Sequence, residues 1–255
     1  MRMDKKQELQ EQAYRFPYHY LPRFENRFFS QHEYWSWGYR YLGRLQVVFD
    51  ILDREGFDSL LDIGCGDGRF LRETDQRYGN KKLLGIDYSE TAIALAKRMN
   101  PHLEFELRDL LVTPTSGEYD VVTLLEVIEH LPPDSLPAFI TVVKGLLRPG
   151  GRLILTTPHT NVALDPKHYQ HFNQAGLHEL LKNDFQEVVF FPFDHIPGWF
   201  RFAIKLMGGA GNHFIITDRR LTTSLFKFYM QHCLYGKGET RCQRIACSAK
   251  KSMAG

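Results

Sequence analysis

The sequence predicts an α/β fold built on a doubly wound, mostly parallel sheet of seven strands. Three observations carry that prediction. Short apolar runs alternate with amphipathic stretches between residues 59 and 182, the pattern of strand and helix taken in turn. A glycine turn, Gly64-Cys65-Gly66-Asp67-Gly68, separates the first run from the first amphipathic stretch. Acids then recur at the ends of successive runs, at Asp62, Asp87, Asp109 and Glu126. The C-terminal edge of a parallel sheet is where ligand-binding groups gather.

Residues 1–34 are rich in aromatics from Tyr14 to Tyr34 with scattered charge, a composition expected to pack on the domain or cover its cleft. Trp37, Tyr41, Leu45, Val48 and Leu52 recur at three- and four-residue intervals, which predicts a helix over 35–52 closed by Gly56. Strands are expected at 59–63, 82–86, 103–107, 120–125 and 152–156, and helices at 69–78, 90–99, 135–147 and 174–182. Ser89 before Glu90 reads as a helix cap, and Pro149-Gly150-Gly151 reads as the stop of the 135–147 helix. A final strand pair is expected at 187–191 and 241–248. Between its members lies an insertion, 197–235, with a Gly-Gly-Ala-Gly break at 208–211 and a helical stretch at 221–235. The expected division is an N-terminal extension (1–56), a core (57–191), a helical cap (192–240) and a last strand with its tail (241–255).

Composition narrows the class. Length and apolar content suit one globular α/β unit with appendages. The last sixty residues hold ten Lys and Arg against two acids, a basic end that suits an anionic substrate or surface. Cys65, Cys233, Cys242 and Cys247 show no paired zinc spacing, so reduced thiols and a cytoplasmic location are expected. The N-terminus has no apolar core of a signal peptide. The greasy stretch 188–207 is interrupted by Pro192, Asp194, His195, Pro197, Arg201 and Lys205, so it does not read as a membrane span.

The glycine turn departs from the dinucleotide pattern of glycine-x-glycine-x-x-glycine. Its third glycine comes one residue early, at Gly68, and Asp62 directly precedes it. A carboxylate there would repel a pyrophosphate and suits a ligand with an amino group. An NAD-dependent oxidoreductase is therefore disfavoured.

Five segments in order resemble the class I S-adenosylmethionine (SAM)-dependent methyltransferases, a Rossmann-like family. They are Asp62-Ile-Gly-Cys-Gly-Asp-Gly68, Gly85-Ile-Asp-Tyr-Ser89, Arg108-Asp-Leu110, Tyr119-Asp-Val-Val122 leading into Glu126-Val-Ile-Glu-His130, and Leu146-Leu-Arg-Pro-Gly-Gly-Arg-Leu153. The resemblance covers residues 57–191 and implies SAM as cofactor. It implies that Gly64, Cys65, Gly66 and Gly68 contact the methionine end by their backbone, with Asp62 near its ammonium. Asp87 would take the ribose hydroxyls, Asp109 and Leu110 would face the adenine edge, Tyr88 would lie against the ring, and Glu126 would join the cofactor site.

Methyl transfer to a hydroxyl requires alignment, exclusion of water and removal of a proton. His130 is the leading base, because imidazole titrates near neutrality. Glu129 and His171 complete the expected catalytic set, and no metal is assigned. The expected acceptor is a hydroxyl of a small metabolite or glycan, with the basic end suited to an anionic one. DNA is not expected as a partner, and RNA fits less well. Glu126-x-x-Glu129-His130 with a later histidine also resembles the metal-ligand set of small-RNA 3′-terminal 2′-O-methyltransferases, which keeps a metal-dependent ribose 2′-O-methyltransferase open. A catalytically silent SAM-fold protein that binds a partner is a further alternative. The segment Trp199–Leu206 suits either core packing or a membrane surface.

Overall fold

Leu60 and Leu61, neighbours on the first strand of the main sheet, enter two different cores. Successive side chains of a strand point to opposite faces, so a strand apolar at both positions must be covered on both sides. The structure, a computed structural model, describes residues 5–13, 23–25, 28–30, 35–113, 116–206, 218–236 and 238–253. In chain order the elements begin with α1 (Lys5–Ala13), a small antiparallel pair β1 (Arg23–Glu25) and β2 (Phe28–Ser30), and the long α2 (Trp35–Glu55). The alternating body follows as β3 (Ser59–Ile63), α3 (Arg69–Tyr78), β4 (Lys82–Asp87), α4 (Glu90–Met99), β5 (Glu104–Leu107), β6 (Tyr119–Leu125), α5 (Leu136–Leu146), β7 (Leu147–Pro158) and α6 (Gln174–Leu181). The chain closes with β8 (Gln186–Phe193), α7 (Gly198–Leu206), α8 (Arg219–Phe228) and β9 (Arg244–Lys250).

The main sheet has seven strands in the order β5-β4-β3-β6-β7-β9-β8. The five strands from β5 to β7 run parallel, and β9 lies antiparallel between β7 and β8. One layer packs Val48 and Leu52 of α2, Leu71 of α3 and Ile93 of α4 against Leu60, Val121 and Ile154. The other packs Ile140 and Val143 of α5 and Leu177 of α6 against Leu61, Val122 and Leu153. Strand order reverses between β3 and β6, so the C-terminal ends of these two strands border the crevice where such sheets bind ligands.

Local sequence explains the boundaries. Ser89 caps α4 as expected, its hydroxyl accepting from the Ala92 amide at 3.0 Å. The helix expected over 135–147 stops at Leu146, because Leu147 is already extended and pairs with Tyr119; Pro149-Gly150-Gly151 therefore lies inside β7 rather than ending the helix. The expected 221–235 helix is regular only to Phe228 and continues as a widened turn over Tyr229–Cys233, where the Tyr229 hydroxyl donates to buried Asp194 at 3.1 Å. The last strand starts at Arg244, not at 241. All four cysteines are buried and unpaired with one another. Most of the aromatic stretch Tyr14–Tyr34 and the glycine break at 208–211 lie outside the described residues. No helix among the described residues is long and apolar enough to cross a membrane.

Candidate functional site

The glycine turn begins where β3 ends, and its shape is set by backbone conformations that side chains resist. Gly64 has φ +72°, and a Cβ there would lie 2.6 Å from Val127; Gly68 has φ +77°, with Phe105 equally close. The turn is pinned to β4 by the amides of Gly64 and Cys65, which donate to the Ile86 carbonyl at 2.8 and 3.1 Å. Asp87 completes the attachment, accepting from the Gly66 amide and the Ser89 amide at 2.9 Å each. Burial pushes the Asp87 carboxyl up to about 6 despite those bonds. Asp62 is also buried; it accepts from the Thr123 hydroxyl at 2.6 Å, and burial raises it to about 7.

Two cavities open along the C-terminal edge of the sheet. The first, about 460 Å³, is lined by Asp87, Tyr88, Asp109 and Leu110 together with Gly64, Glu126, His130 and Lys167. The second, about 290 Å³, is lined by Asp62, Gly64, Cys65, Gly66 and Asp67 on one side and Arg44, Glu129, His168 and Arg244 on the other. Gly64, Glu126, His130 and Lys167 line both, so the two form adjoining lobes of one cleft. The structure thus brings the expected cofactor-binding residues to one edge, apart from Gly68, which shapes the turn. Asp109 has a second task there, since its Oδ1 accepts from the Leu111 amide at 3.0 Å and closes its own loop. Burial keeps the Cys65 thiol well above its ordinary value, so it is a wall of the cleft rather than a nucleophile.

Glu126 has φ +60°, a strained conformation for a residue with a side chain. Its carboxylate is fully engaged. Oε1 accepts from Thr156 at 3.1 Å, and Oε2 accepts from Arg244 at 3.0 Å and pairs with Arg44 at 3.1 Å. Burial alone would raise it, but the two guanidiniums hold it well below the usual carboxylate range. Arg244 also reaches Asp194 at 3.2 Å, which in turn binds Arg40. No motif of the sequence marks Arg44 or Arg244 as a site residue. Arg40 and Arg44 share one face of α2 at a four-residue interval, which is the one signal that could have drawn attention to them.

The remaining acid and the histidines form a separate group. Ligand atoms of Glu129, His130 and His168 lie within 4.8 Å of one another. Glu129 Oε2 accepts from Thr157 at 3.2 Å, while its Oε1 is buried without a hydrogen-bond partner. Burial, then the charge of Glu126, raises Glu129 well above the usual range. His130 Nδ1 lies 3.3 Å from the Lys167 carbonyl. A carbonyl only accepts, so Nδ1 carries the proton and Nε2 keeps its lone pair. The same logic runs through a pair: His171 Nδ1 faces the Val162 carbonyl at 3.2 Å, its Nε2 therefore accepts from His168 Nδ1 at 2.9 Å, and His168 Nε2 is left as an acceptor. Burial pushes His130 down to about 4 and His168 to about 3, so both are neutral imidazoles. His171, expected to face the cleft, lines neither lobe; it stands behind His168 and orients it.

Helix α1 crosses the opening. Lys6 donates to the carbonyls of His168 and Pro166 at 2.6 and 3.1 Å, and Glu11 accepts from the Ser89 hydroxyl at 2.5 Å. The helix thereby ties the loop after β7 to the turn after β4, and Lys6 and Gln7 line the larger lobe.

Comparison with known proteins gives consistent likenesses. Residues 60–151 match the family model described as "Methyltransferase domain". The mouse (Mus musculus) small RNA 2′-O-methyltransferase is 31% identical over 134 residues, 47% of this chain and 34% of that protein. The ubiquinone biosynthesis O-methyltransferase of Pseudomonas aeruginosa is 33% identical over 117 residues, 44% of this chain and 47% of that protein. The chain thus spans less than half the length of these curated relatives. Among solved structures, the N-methyltransferase NodS of Bradyrhizobium japonicum with S-adenosyl-L-homocysteine aligns with a TM-score of 0.61 at 14% identity, covering 97% of this chain and 99% of that one. A SAM-dependent methyltransferase from Archaeoglobus fulgidus aligns with a TM-score of 0.54 at 20% identity, covering 81% and 94%.

Proposed function

We propose that this chain is a class I SAM-dependent methyltransferase, a reading its domain match and fold support, and that it transfers a methyl group to a hydroxyl oxygen of a small metabolite or glycan. One observation carries the reading: a carboxylate, Asp87, is anchored by the glycine turn at the wall of a cleft whose two lobes meet at His130. The cradle fits the cofactor, since a Cβ at Gly64 would collide with Val127 and would crowd the approach of a ligand to the main chain.

When bound, SAM supplies a methyl group already activated on a sulfonium. Asp87 keeps spare lone pairs to accept from a ribose diol, and Asp109 with Leu110 borders the space for a base. Asp62 and the Gly64–Gly66 backbone line the smaller lobe, where an ammonium would find a carboxylate. His130 accepts the acceptor's hydroxyl proton at Nε2, because Nδ1 is held by the Lys167 carbonyl. The Lys167 ammonium, which lines both lobes beside His130, stabilises the developing oxyanion. Helix α1 borders the larger lobe through Lys6 and Gln7, and Arg44, Glu126 and Arg244 wall the smaller one.

Calorimetric titration with SAM, S-adenosylhomocysteine and NADH tests the premise. Binding of the two sulfur nucleosides and not of NADH is expected; binding of NADH alone would reverse it. A metabolite screen for S-adenosylhomocysteine release then finds the acceptor.

A second reading is favoured by the orphaned Glu129 Oε1 beside two imidazole lone pairs, a donor set that fits a divalent cation. Glu129, His130 and His168 would hold it, and it would supply Lewis-acid orientation of a terminal ribose diol. Glu126 is not part of that set, its Oε2 being held by Arg44 and Arg244 and its Oε1 by the Thr156 hydroxyl. Activity on the 3′ end of an RNA that disappears with a chelator and returns with Mn²⁺ or Mg²⁺ would establish this reading over the first.

A further inference from the structure

Helix α7 is apolar on two opposing sides. Phe200 and Ile204 are 1% and 5% exposed and belong to the core, whereas Trp199, Phe202 and Leu206 are 59%, 63% and 57% exposed. At roughly 100° per residue, positions 199, 202 and 206 form a narrow stripe along one side of the helix. Arg201 and Lys205, both exposed, fall between that stripe and the buried seam. The neighbouring α8 packs on α7 through Phe228, whose ring lies 5.1 Å from Trp199 and 5.2 Å from Phe200. It presents Arg219, Arg220 and Lys227 at the surface, and Asp218, its N-cap, is the only acid in the described span 218–228; α7 has none.

An exposed aromatic and aliphatic stripe bordered by cations has to suit its occupant in both respects. A second copy docked on this face by two-fold symmetry would set like charges against each other. A nucleic acid would use the cations and leave Phe202 and Leu206 in water. An anionic bilayer surface uses both, taking Trp, Phe and Leu into the boundary beneath the headgroups while Arg and Lys meet the lipid phosphates. Nine residues of helix reach about 13 Å, well short of a hydrocarbon core of about 30 Å, so the helix can only lie in the plane of the surface.

We infer that α7, with the basic face of α8 beside it, is a docking surface for anionic lipid, with Trp199, Phe202 and Leu206 entering the membrane interface. This surface is independent of the methyl-transfer reading. The full chain is mixed with vesicles of phosphatidylcholine, with or without phosphatidylglycerol, and followed by flotation and tryptophan emission. The wild type is expected to float with the mixed vesicles, with a blue-shifted emission that Trp199→Phe abolishes. The double variants Trp199→Ser/Phe202→Ser and Arg201→Glu/Lys205→Glu should each bind about tenfold or more weakly, the latter from loss of two headgroup contacts. Titration of S-adenosylhomocysteine on the same variants should be unchanged, which verifies folding and separates this inference from the proposed activity. No flotation, equal flotation with neutral vesicles, undiminished binding by either double variant, or self-association lost in the same variants would each overturn it.

Discussion

The Gly66 amide donates to Oδ2 of Asp87 at 2.9 Å, joining the glycine turn of one strand to the acid of the next. The same carboxylate is therefore part of the turn's architecture and part of the cleft wall. Replacing Asp87 by Ala should weaken SAM binding by more than about 1 kcal/mol, the scale of a charge-assisted hydrogen bond, and calorimetry measures it. Unchanged affinity would remove Asp87 from the site.

That carboxylate also sets a pH dependence. Burial raises the Asp87 carboxyl to about 6, and in the proposed role only its ionised form would accept from both ribose hydroxyls. Binding favours the ionised form, so affinity should be level above pH 6 and fall by up to about tenfold per unit below it. Affinity that is flat from pH 7 to 5 would contradict the assignment.

His130 and Lys167 should separate chemistry from cofactor binding. With an acceptor in hand, His130→Gln or Lys167→Met should lower kcat by about tenfold or more while leaving SAM affinity within about twofold. An equal loss of both quantities would make the residue structural.

The arginine network is expected to matter for stability. Arg244 serves two buried acids, Glu126 and Asp194. Arg244→Met takes one guanidinium from each, leaving Glu126 to Arg44 and Asp194 to Arg40, and should cost about 2 kcal/mol in denaturant unfolding, whereas Arg244→Met combined with Glu126→Gln should recover part of that loss.

At the opposite edge of the sheet, Asp120 accepts from the amides of Asp58 and Ser59 at 2.8 Å each and pairs with Arg148 at 2.5 Å. Although burial works against it, these partners lower Asp120 to about 2. A carboxyl with a folded pKa below its unfolded value of about 3.9 stabilises the fold fully above that value and loses the contribution as pH falls toward 2. Screened by solvent at a pair whose Arg148 is half-exposed, the contribution is on the order of 1 kcal/mol. Asp120→Asn should lose most of it at pH 7 and flatten the acid side of a stability profile measured between pH 5 and 2.

The alternating body was legible because its signals are local. The strand 59–63 and the helices 69–78 and 90–99 have the limits their apolar spacing and caps predict, since a period of two or 3.6 is written within ten residues. The boundary at Leu146 was not legible, because the pairing of Leu147 with Tyr119 outweighs the usual reading of a Pro-Gly-Gly stop. The family resemblance implies that His171 faces the cleft, and only the course of the loop turns its ring behind His168.

From sequence alone come the α/β alternation, the glycine turn and the acids that follow each strand, all consequences of backbone conformation and short-range periodicity. The tertiary structure decided what those acids meet. Insertion of β9 antiparallel beside β7 carries Arg244 to the end of β6, and α2 brings Arg44 from the other side, so Glu126 is neutralised while Glu129, three residues on, is left with an unpartnered oxygen. Charge partners 82 and 118 residues away along the chain leave no local pattern, and the electrostatics of a buried carboxylate depends on them.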